Sequence, residues 1–155
     1  MSISAADVKK LREATGVGMM DCKKALVETN GDFDAAVDLL RTQGQKVAAK
    51  RADRDAKEGI IATGSANGDA TGILVEVNCE TDFVSRNDDF QSYAAELADL
   101  TTSTLPADRD AFLAASMQDG RSVADSLTDM TGKIGEKIDV RRTAVLNSDG
   151  GTVVS

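Results

Sequence analysis

The sequence predicts an α+β protein, in which a small bundle of three helices is followed by a three-stranded antiparallel sheet that helices cover on one side. Three observations lead to this class. Apolar residues in the first third of the chain recur every three or four positions between Gly-containing breaks, which is typical of short helices. Two β-rich runs then flank an Asn-Gly pair. A third β-rich run follows a helical middle segment, which favours a layered arrangement over a purely helical one.

Three short helices are predicted before the first strand. Ser4 precedes the first helix as a candidate cap, and Gly16 ends it. The second helix begins near Met19 and stops at the Asn30-Gly31 turn, after which Asp32 opens the third. Each helix has one apolar stripe to bury, so the three are expected to pack together as a bundle.

The third helix is expected to break at Gln43-Gly44-Gln45, and a basic stretch follows. Its five cations are Lys46, Lys50, Arg51, Arg54 and Lys57. Two interpretations are open, the solvated end of a helix, where cations suit the negative end of the helix dipole, or a contact with RNA. The first is favoured. The residues after Lys57 carry 7 basic and 17 acidic side chains, which argues against nucleic acid as a partner of that part of the chain.

The chain after Lys57 changes to a β-type pattern. Ile60–Thr63 and Ile73–Val77 are short β-rich runs, and Asn67-Gly68 between them suits a tight hairpin turn because both positions tolerate positive φ. The strongest amphipathic helix of the sequence follows, with Asn87 among its candidate caps. Its apolar face consists of Phe90, Tyr93, Ala94, Leu97 and Leu100.

Two further short helices and a last strand complete the predicted second half. One helix follows Pro106, and the other runs from Val123 to Met130, before Gly132. The final strand runs from Ile138 to Leu146 and is interrupted by Arg142. The residues expected on its core face are Ile138, Val140, Ala144 and Leu146.

The composition argues against an enzyme. His is absent, which removes the usual general base and the usual zinc ligand, and no nucleophile with an adjacent base is visible. Cys22 and Cys79 stand alone rather than in a Cys-x-x-Cys pair, so they are expected to be reduced, partly buried thiols. Neither a cofactor nor a metal site is predicted. No apolar run is long enough to cross a bilayer, so a soluble cytoplasmic protein without a membrane partner is expected.

Two places in the sequence hold apolar residues that packing alone does not explain. Met19 and Met20 point about 100° apart on a helix, so at least one is expected to be exposed; alternatively, both fold over the ends of a small core. Phe83 lies in a polar turn after the second strand, where it either anchors a partner's pocket or folds back against Phe90. The acids around Phe83 lack the spacing and the central Gly of a calcium loop.

Three stretches of the sequence carry a family resemblance. They are Leu11–Leu26 (LREATGVGMMDCKKAL), Val75–Val84 (VEVNCETDFV), and Lys133–Glu136 followed by Val140-Arg141-Arg142. In order and spacing they resemble the signature regions of bacterial translation elongation factor Ts. The resemblance covers the whole chain, and motifs of this length are far more specific than a short pattern match.

The resemblance implies a ubiquitin-associated-like three-helix domain in residues 1–54, the first subdomain of the family's core in residues 55–147, and the start of a second subdomain in residues 148–155. It implies a guanine-nucleotide exchange factor that binds elongation factor Tu in its GDP state and expels the nucleotide. The Asp82 and Phe83 positions then enter the GTPase domain beside its magnesium site. The implied partner-binding positions are Lys9, Arg12, Met19, Met20, Lys23, Thr81, Asp82, Phe83, Val84, Ile134 and Gly135.

The end of the chain departs from the family pattern. The sequence stops at Thr152-Val153-Val154, where a further strand of the core would begin, so it is expected to be a fragment or an unusually short form. The polar hinge Ser148–Gly151 predicts a mobile tail rather than a strand that pairs with another chain. Such a fragment is expected to stimulate nucleotide exchange only weakly.

Two other functional classes compete with the exchange factor. A ubiquitin-type adaptor would use the three-helix domain alone and leave Asp82-Phe83 without a role, and a hydrolase would need a catalytic constellation that the sequence lacks. A pull-down from bacterial lysate separates the classes. An adaptor would retain ubiquitin-like or diverse proteins, whereas an exchange factor would enrich one abundant GTPase and lose it when GDP and magnesium are added.

Overall fold

The computed structural model describes residues 3–154, which form seven helices and three strands. The helices are α1 (Ala5–Thr15), α2 (Met19–Glu28), α3 (Phe33–Arg51), α4 (Asp82–Ser85), α5 (Asp88–Thr104), α6 (Arg109–Ala114) and α7 (Val123–Ile134). The strands are β1 (Glu58–Ala66), β2 (Thr71–Cys79) and β3 (Asp139–Asn147). The predicted α+β class is confirmed. None of the helices in this range combines the length and the apolar character that a membrane span requires.

The chain divides into two compact units. The first comprises Met1–Ala52 and Thr128–Gly135, and the second comprises Asp53–Leu127 and Glu136–Ser155. Helix α7 therefore contributes its first residues to the second unit and its last residues to the first.

The first unit is built on the three predicted helices. Ser4 caps α1 through a reciprocal pair of hydrogen bonds, in which Asp7 N donates to Ser4 Oγ at 3.2 Å and Ser4 N donates to Asp7 Oδ2 at 3.0 Å. Gly16, with φ of 66°, ends the helix in the left-handed conformation that Gly adopts without strain. The apolar stripes of the three helices meet in one core, which consists of Val8, Leu11, Cys22, Ala25, Leu26, Ala36 and Leu40.

The predicted break at Gly44 is wrong, because α3 continues through it to Arg51. Gly44 lies against Gly132 of α7, and a Cβ atom built on Gly132 would come within 2.4 Å of Gly44 Cα. The two glycines therefore permit a close approach of two helix backbones. In the sequence, a Gly needed for such packing cannot be distinguished from a Gly that ends a helix. Helix α7 likewise runs through Gly132 to Ile134, beyond its predicted end.

The second unit contains an antiparallel sheet of order β1-β2-β3. One face is the core face, on which Ile73, Val75 and Val77 of β2 are fully buried. Helix α5 packs on this side against β1 and β2, and Phe90 and Leu97 of α5 have no exposed surface. Asn87 caps α5 as predicted, its side-chain oxygen accepting hydrogen bonds from Asp89 N and Phe90 N.

The hairpin between β1 and β2 has a longer connection than a two-residue turn. Ala66 and Thr71 form the last pair of the ladder, so four residues make the loop. The prediction that Asn67 and Gly68 adopt positive φ is confirmed, with values of 56° and 64°. Asp69 also has a positive φ, of 66°, and this third left-handed residue lengthens the loop.

The predicted core face of β3 is wrong beyond Val140. A bulge lies in this strand, because Val77 pairs with Val140 while the preceding residue Glu76 pairs with Arg142. The extra residue, Arg141, reverses the alternation of side chains. Beyond the bulge, Thr143 and Val145 therefore share the core face, whereas the residues expected there, Ala144 and Leu146, lie on the opposite face with Arg142.

The sequence predicts a mobile tail after β3 that is detached from the sheet. The structure differs, because these residues contact the β1–β2 loop. Ser148 N donates to Ala70 O at 2.8 Å, and Val153 N donates to Asp69 O at 2.7 Å. The Val153 side chain occupies the space above Gly72, where a Cβ atom would come within 2.5 Å of its Cγ1. The missing side chain of Gly72 thus gives the tail a place on the sheet.

Candidate functional site

Phe83 is the most exposed aromatic side chain in the described part of the chain. It lies in α4, a single helical turn between β2 and α5, and its relative exposure is 83%. A ring with this exposure is not packed against Phe90, which is fully buried in the core of the second unit. The alternative in which Phe83 folds back against Phe90 is therefore wrong. A large apolar side chain left in water on a positioned turn is typical of an anchor residue for a partner.

The turn that carries Phe83 is fastened at its first residue. Glu136 accepts hydrogen bonds from Glu80 N at 3.2 Å, Thr81 N at 3.0 Å and Thr81 Oγ1 at 2.7 Å. In return, Glu80 Oε1 accepts a hydrogen bond from Lys137 N at 2.7 Å. Two carboxylates on distant parts of the chain thus hold each other's backbone, and Thr81 uses its hydroxyl for this contact rather than to cap α4.

A buried thiol supports the same corner. Cys79 ends β2 and donates a hydrogen bond from Sγ to Thr81 O at 3.2 Å. Burial, together with the nearby negative charges of Glu136 and Glu58, raises the pKa of Cys79 to about 11. The thiol therefore stays protonated at neutral pH, as a donor of this hydrogen bond requires, and both Cys22 and Cys79 are free and buried.

The neighbours of Phe83 in α4 differ in exposure and in partners. Asp82 Oδ2 forms an ion pair with Arg86 at 3.3 Å, in which the Arg86 side chain is largely exposed and the Asp82 side chain is half-buried. Val84 is half-buried, and Ser85 is buried with its hydroxyl donating to Asp82 O at 2.9 Å. Within residues 3–154, no group of three or more His, Cys, Asp or Glu side chains could hold a metal ion.

The two predicted methionines are both exposed in the first unit. Met19 and Met20 are the first two residues of α2, with exposures of 48% and 65%. The buried face of α2 consists of Cys22, Ala25 and Leu26, and Met20 is the further of the two from this stripe. The alternative that both methionines close over the core is therefore wrong.

The other predicted positions of the first unit are cations and a helix end. Lys9, Arg12 and Lys23 are exposed. Ile134 and Gly135 are half-buried, and Gly135 ends α7 with φ of 84° and a hydrogen bond from its N–H to Thr131 O at 2.8 Å. In the same unit the Lys133 side chain crosses Gly16, where a Cβ atom would come within 2.5 Å of Lys133 Cε.

Comparison with known proteins bears on what these surfaces do. A family model described as Elongation factor TS matches residues 80–155. The elongation factor Ts of Chloroherpeton thalassium is 49% identical over an alignment of 156 positions, which covers 99% of this chain and 54% of that protein. The chain belongs to the elongation factor Ts family. Its similarity to the family extends over the first unit as well, since that alignment covers nearly the whole chain.

Other elongation factors Ts give the same result. That of Christiangramia forsetii is 56% identical over 139 residues, 89% of this chain and 49% of that protein. That of Thermobifida fusca is 51% identical over 141 residues, 91% of this chain and 50% of that protein. The chain spans about half the length of the curated relatives it matches.

Sequence reasoning placed Thr81–Val84 and Ile134-Gly135 in the elongation factor Ts signature but missed the carboxylates that hold the first of them. Glu80 and Glu136 are ordinary acids by composition, and 56 residues separate Glu136 from the Glu80 N–H that it accepts. One signal was available. Glu136 ends the matched stretch Lys133–Glu136, directly after a Gly that turns the chain.

Proposed function

We propose that the chain is a guanine-nucleotide exchange factor for translation elongation factor Tu, which it drives to release GDP without catalytic chemistry of its own. Membership of the elongation factor Ts family supports this partner. The observation that carries the proposal is the 83% exposure of Phe83 on a fastened turn. On this proposal, Asp82 and Phe83 enter the GTPase domain beside its magnesium site.

The physical principle is thermodynamic linkage. GDP and magnesium favour one conformation of the GTPase, and a wedge favours another in which the nucleotide site is distorted. A wedge that binds better to the distorted site must weaken nucleotide binding, and the nucleotide must weaken wedge binding by the same factor. Exchange is therefore mutual displacement and requires no nucleophile, base or metal from the chain.

The energy gained by burying Phe83 is too small to account for binding as well as for nucleotide release. Covering one Phe side chain contributes about 1.5 to 3 kcal/mol, which is the size of a typical coupling energy but far less than a stable complex needs. Additional contacts are required for affinity. The proposal assigns disruption to Asp82 and Phe83, flanked by Thr81 and Val84, and assigns docking to a second set of positions. That set is Lys9, Arg12, Met19, Met20, Lys23, Ile134 and Gly135.

Further features belong to the same proposal. The three helices of the first unit would act as a ubiquitin-associated-like docking domain for the GTPase, and Met side chains suit such a surface because they adapt to the partner's shape. The protein would act in the cytoplasm, where translation elongation takes place. Neither a nucleic acid nor a membrane is part of the proposed interaction.

Release of GDP from elongation factor Tu tests the proposal directly. The GTPase is loaded with a fluorescent GDP analogue, mixed with excess unlabelled GDP, and followed with increasing concentrations of this chain. We expect the release rate to rise with chain concentration, and excess magnesium and GDP to compete with the chain for the GTPase. A release rate that does not depend on the chain at any concentration would refute the assignment.

Met20→Ala tests the docking role of the first unit. Because Met20 is 65% exposed, its loss should leave helicity and thermal midpoint unchanged but weaken binding to elongation factor Tu about tenfold, as expected for an apolar contact of about 1.4 kcal/mol. Val27→Ala is the matched control, since Val27 is an exposed apolar residue of the same helix that the proposal leaves outside the interface. Loss of circular dichroism signal with intact binding would make Met20 a structural residue instead.

A further inference from the structure

The corner that presents Phe83 lacks the means to hold its own shape. Helix α4 has only four residues, and its N-cap residue Thr81 makes no side-chain capping hydrogen bond. One helical turn fixes several backbone dihedrals for very few hydrogen bonds and is unstable alone. The direction in which Phe83 points must therefore be fixed by contacts from outside the turn.

Cys79 Sγ supplies one such contact, to Thr81 O at 3.2 Å, and the other three hydrogen bonds to the residues just before Asp82 come from Glu136. Its Oε2 accepts from the N–H groups of Glu80 and Thr81, at 3.2 and 3.0 Å, and its Oε1 accepts from the Thr81 hydroxyl at 2.7 Å. All the groups involved are half-buried, and hydrogen bonds to a carboxylate are about twice as strong as neutral ones. Three donors on one carboxylate fix both the position and the orientation of the residue just before Asp82.

The contact is reciprocal, which makes it a clamp rather than a single tether. Glu80 Oε1 accepts from Lys137 N at 2.7 Å, so the segment that supplies Glu136 is itself held by the corner. Each acid meets backbone N–H groups of the other's segment, which offsets the repulsion expected between two neighbouring carboxylates. Replacing one acid therefore loosens the other.

We propose that Glu136, supported by Glu80, is a positioning residue for nucleotide exchange, which holds the Thr81–Phe83 corner in the orientation that inserts Phe83 into the GTPase. This inference rests on the proposed exchange function. It assigns Glu136 no contact with the partner. Its role is to remove the entropic cost of ordering the corner when the complex forms, so that more of the interaction energy of Phe83 remains for displacing the nucleotide.

The first test needs no partner. The sequence contains no Trp, so Phe83→Trp provides a single emitter at the corner, whose local motion is measured by time-resolved fluorescence anisotropy. In this background we expect Glu136→Ala to increase the fast depolarisation, and Glu136→Gln to restore most of the order because its amide oxygen can still accept the backbone N–H groups. Asp108→Ala is the matched control, since Asp108 also accepts a backbone hydrogen bond, from Ala111 at 2.8 Å in α6, and its loss should leave the fast depolarisation of the Trp at position 83 unchanged.

The second test measures exchange with Phe83 in place. Glu136→Ala should lower the stimulated rate of GDP release about tenfold, the change expected for loss of hydrogen bonding to a charged group, while Glu136→Gln recovers most of the rate. Glu136→Ala should also lower the thermal midpoint more than Asp108→Ala, because Glu136 accepts three hydrogen bonds and Asp108 accepts one, so the recovery of exchange in Glu136→Gln and the anisotropy, rather than stability, identify the positioning role. Equal anisotropy and equal exchange in Glu136→Ala and the parent would overturn the inference.

The outcomes separate this inference from the proposed function. If the parent chain does not stimulate GDP release, the proposed function fails, whereas the anisotropy of the reporter still decides whether the clamp orders the corner. If Glu136→Ala does not fold, Thr81→Val takes its place, because it removes only the hydroxyl donor to Glu136 Oε1 and keeps the branched shape. Because Thr81 is also a proposed partner-binding position, the partner-free readout decides this case: added fast motion of the reporter in Thr81→Val supports the clamp, and unchanged motion contradicts it.

Discussion

Replacing Phe83 with Ala is expected to slow stimulated GDP release from elongation factor Tu about 10- to 100-fold while the thermal midpoint of the chain stays nearly unchanged. The reason is where the side chain is buried. Phe83 is 83% exposed in the free chain, so its removal takes little from the folded state. In the proposed complex the partner supplies the burial, and loss of about 1.5 to 3 kcal/mol of apolar contact accounts for the fold-change.

Two controls define what the Phe83→Ala result means. Ile61→Ala removes an exposed apolar side chain, 60% accessible, from β1 of the same unit and should change neither exchange nor stability. Phe90→Ala removes a fully buried ring from α5 and should destabilise the chain by about 3 to 5 kcal/mol. If Phe83→Ala behaves like Ile61→Ala in exchange, or like Phe90→Ala in unfolding, the wedge assignment fails.

The elements of the fold were predictable wherever the signal is local. Ser4 and Asn87 indicate where their helices begin, because their side chains cap backbone N–H groups within three residues. The Asn67-Gly68 pair indicates the hairpin because both residues favour the backbone conformation of the turn. The face of β3 was not predictable by alternation, because the bulge at Arg141 reverses side-chain parity without changing the β-rich character of the run. A sequence with one inserted residue still reads as a β-strand, so alternation alone does not show where the side chains change faces.

The candidate site was predictable only in part for the same reason. In the sequence, an aromatic residue in a polar turn seven residues before Phe90 fits two arrangements. Phe83 could be an exposed anchor, or its ring could fold onto Phe90. The hydrogen bond that Thr81 N donates to Glu136 holds the residue before Asp82, and it spans 55 residues of sequence, so no local pattern reveals it. The prediction that Gly44 breaks α3 was wrong on similar grounds. Gly44 allows α3 to approach α7 closely at Gly132, which lies 88 residues further along the chain, and no local pattern shows this contact.

That helix approach gives the second large expected effect. Gly132→Ala would place a Cβ atom within 2.4 Å of Gly44 Cα and within 3.1 Å of its carbonyl carbon, and both are backbone atoms that cannot move aside as a flexible side chain can. Overpacking of this kind costs about 1 to 3 kcal/mol, and with two backbone atoms this close we expect a cost above the roughly 1 kcal/mol that Ala gains over Gly in a helix. Gly132→Ala should therefore lower the thermal midpoint, as measured by circular dichroism at 222 nm, the usual helix wavelength.

The facing glycine provides a control of opposite sign. A Cβ atom on Gly44 would lie 3.5 Å from Gly132 Cα, an ordinary van der Waals contact, so Gly44→Ala gains helix propensity without a clash and should be neutral or stabilising by up to about 1 kcal/mol. The same chemical change on two facing glycines is thus expected to move stability in opposite directions. Because the two sites touch, the double variant should depart from the sum of the single effects. Equal stabilisation by both substitutions would mean that the backbones of α3 and α7 do not approach each other at this point, and that Gly44 is tolerated in α3 for some other reason.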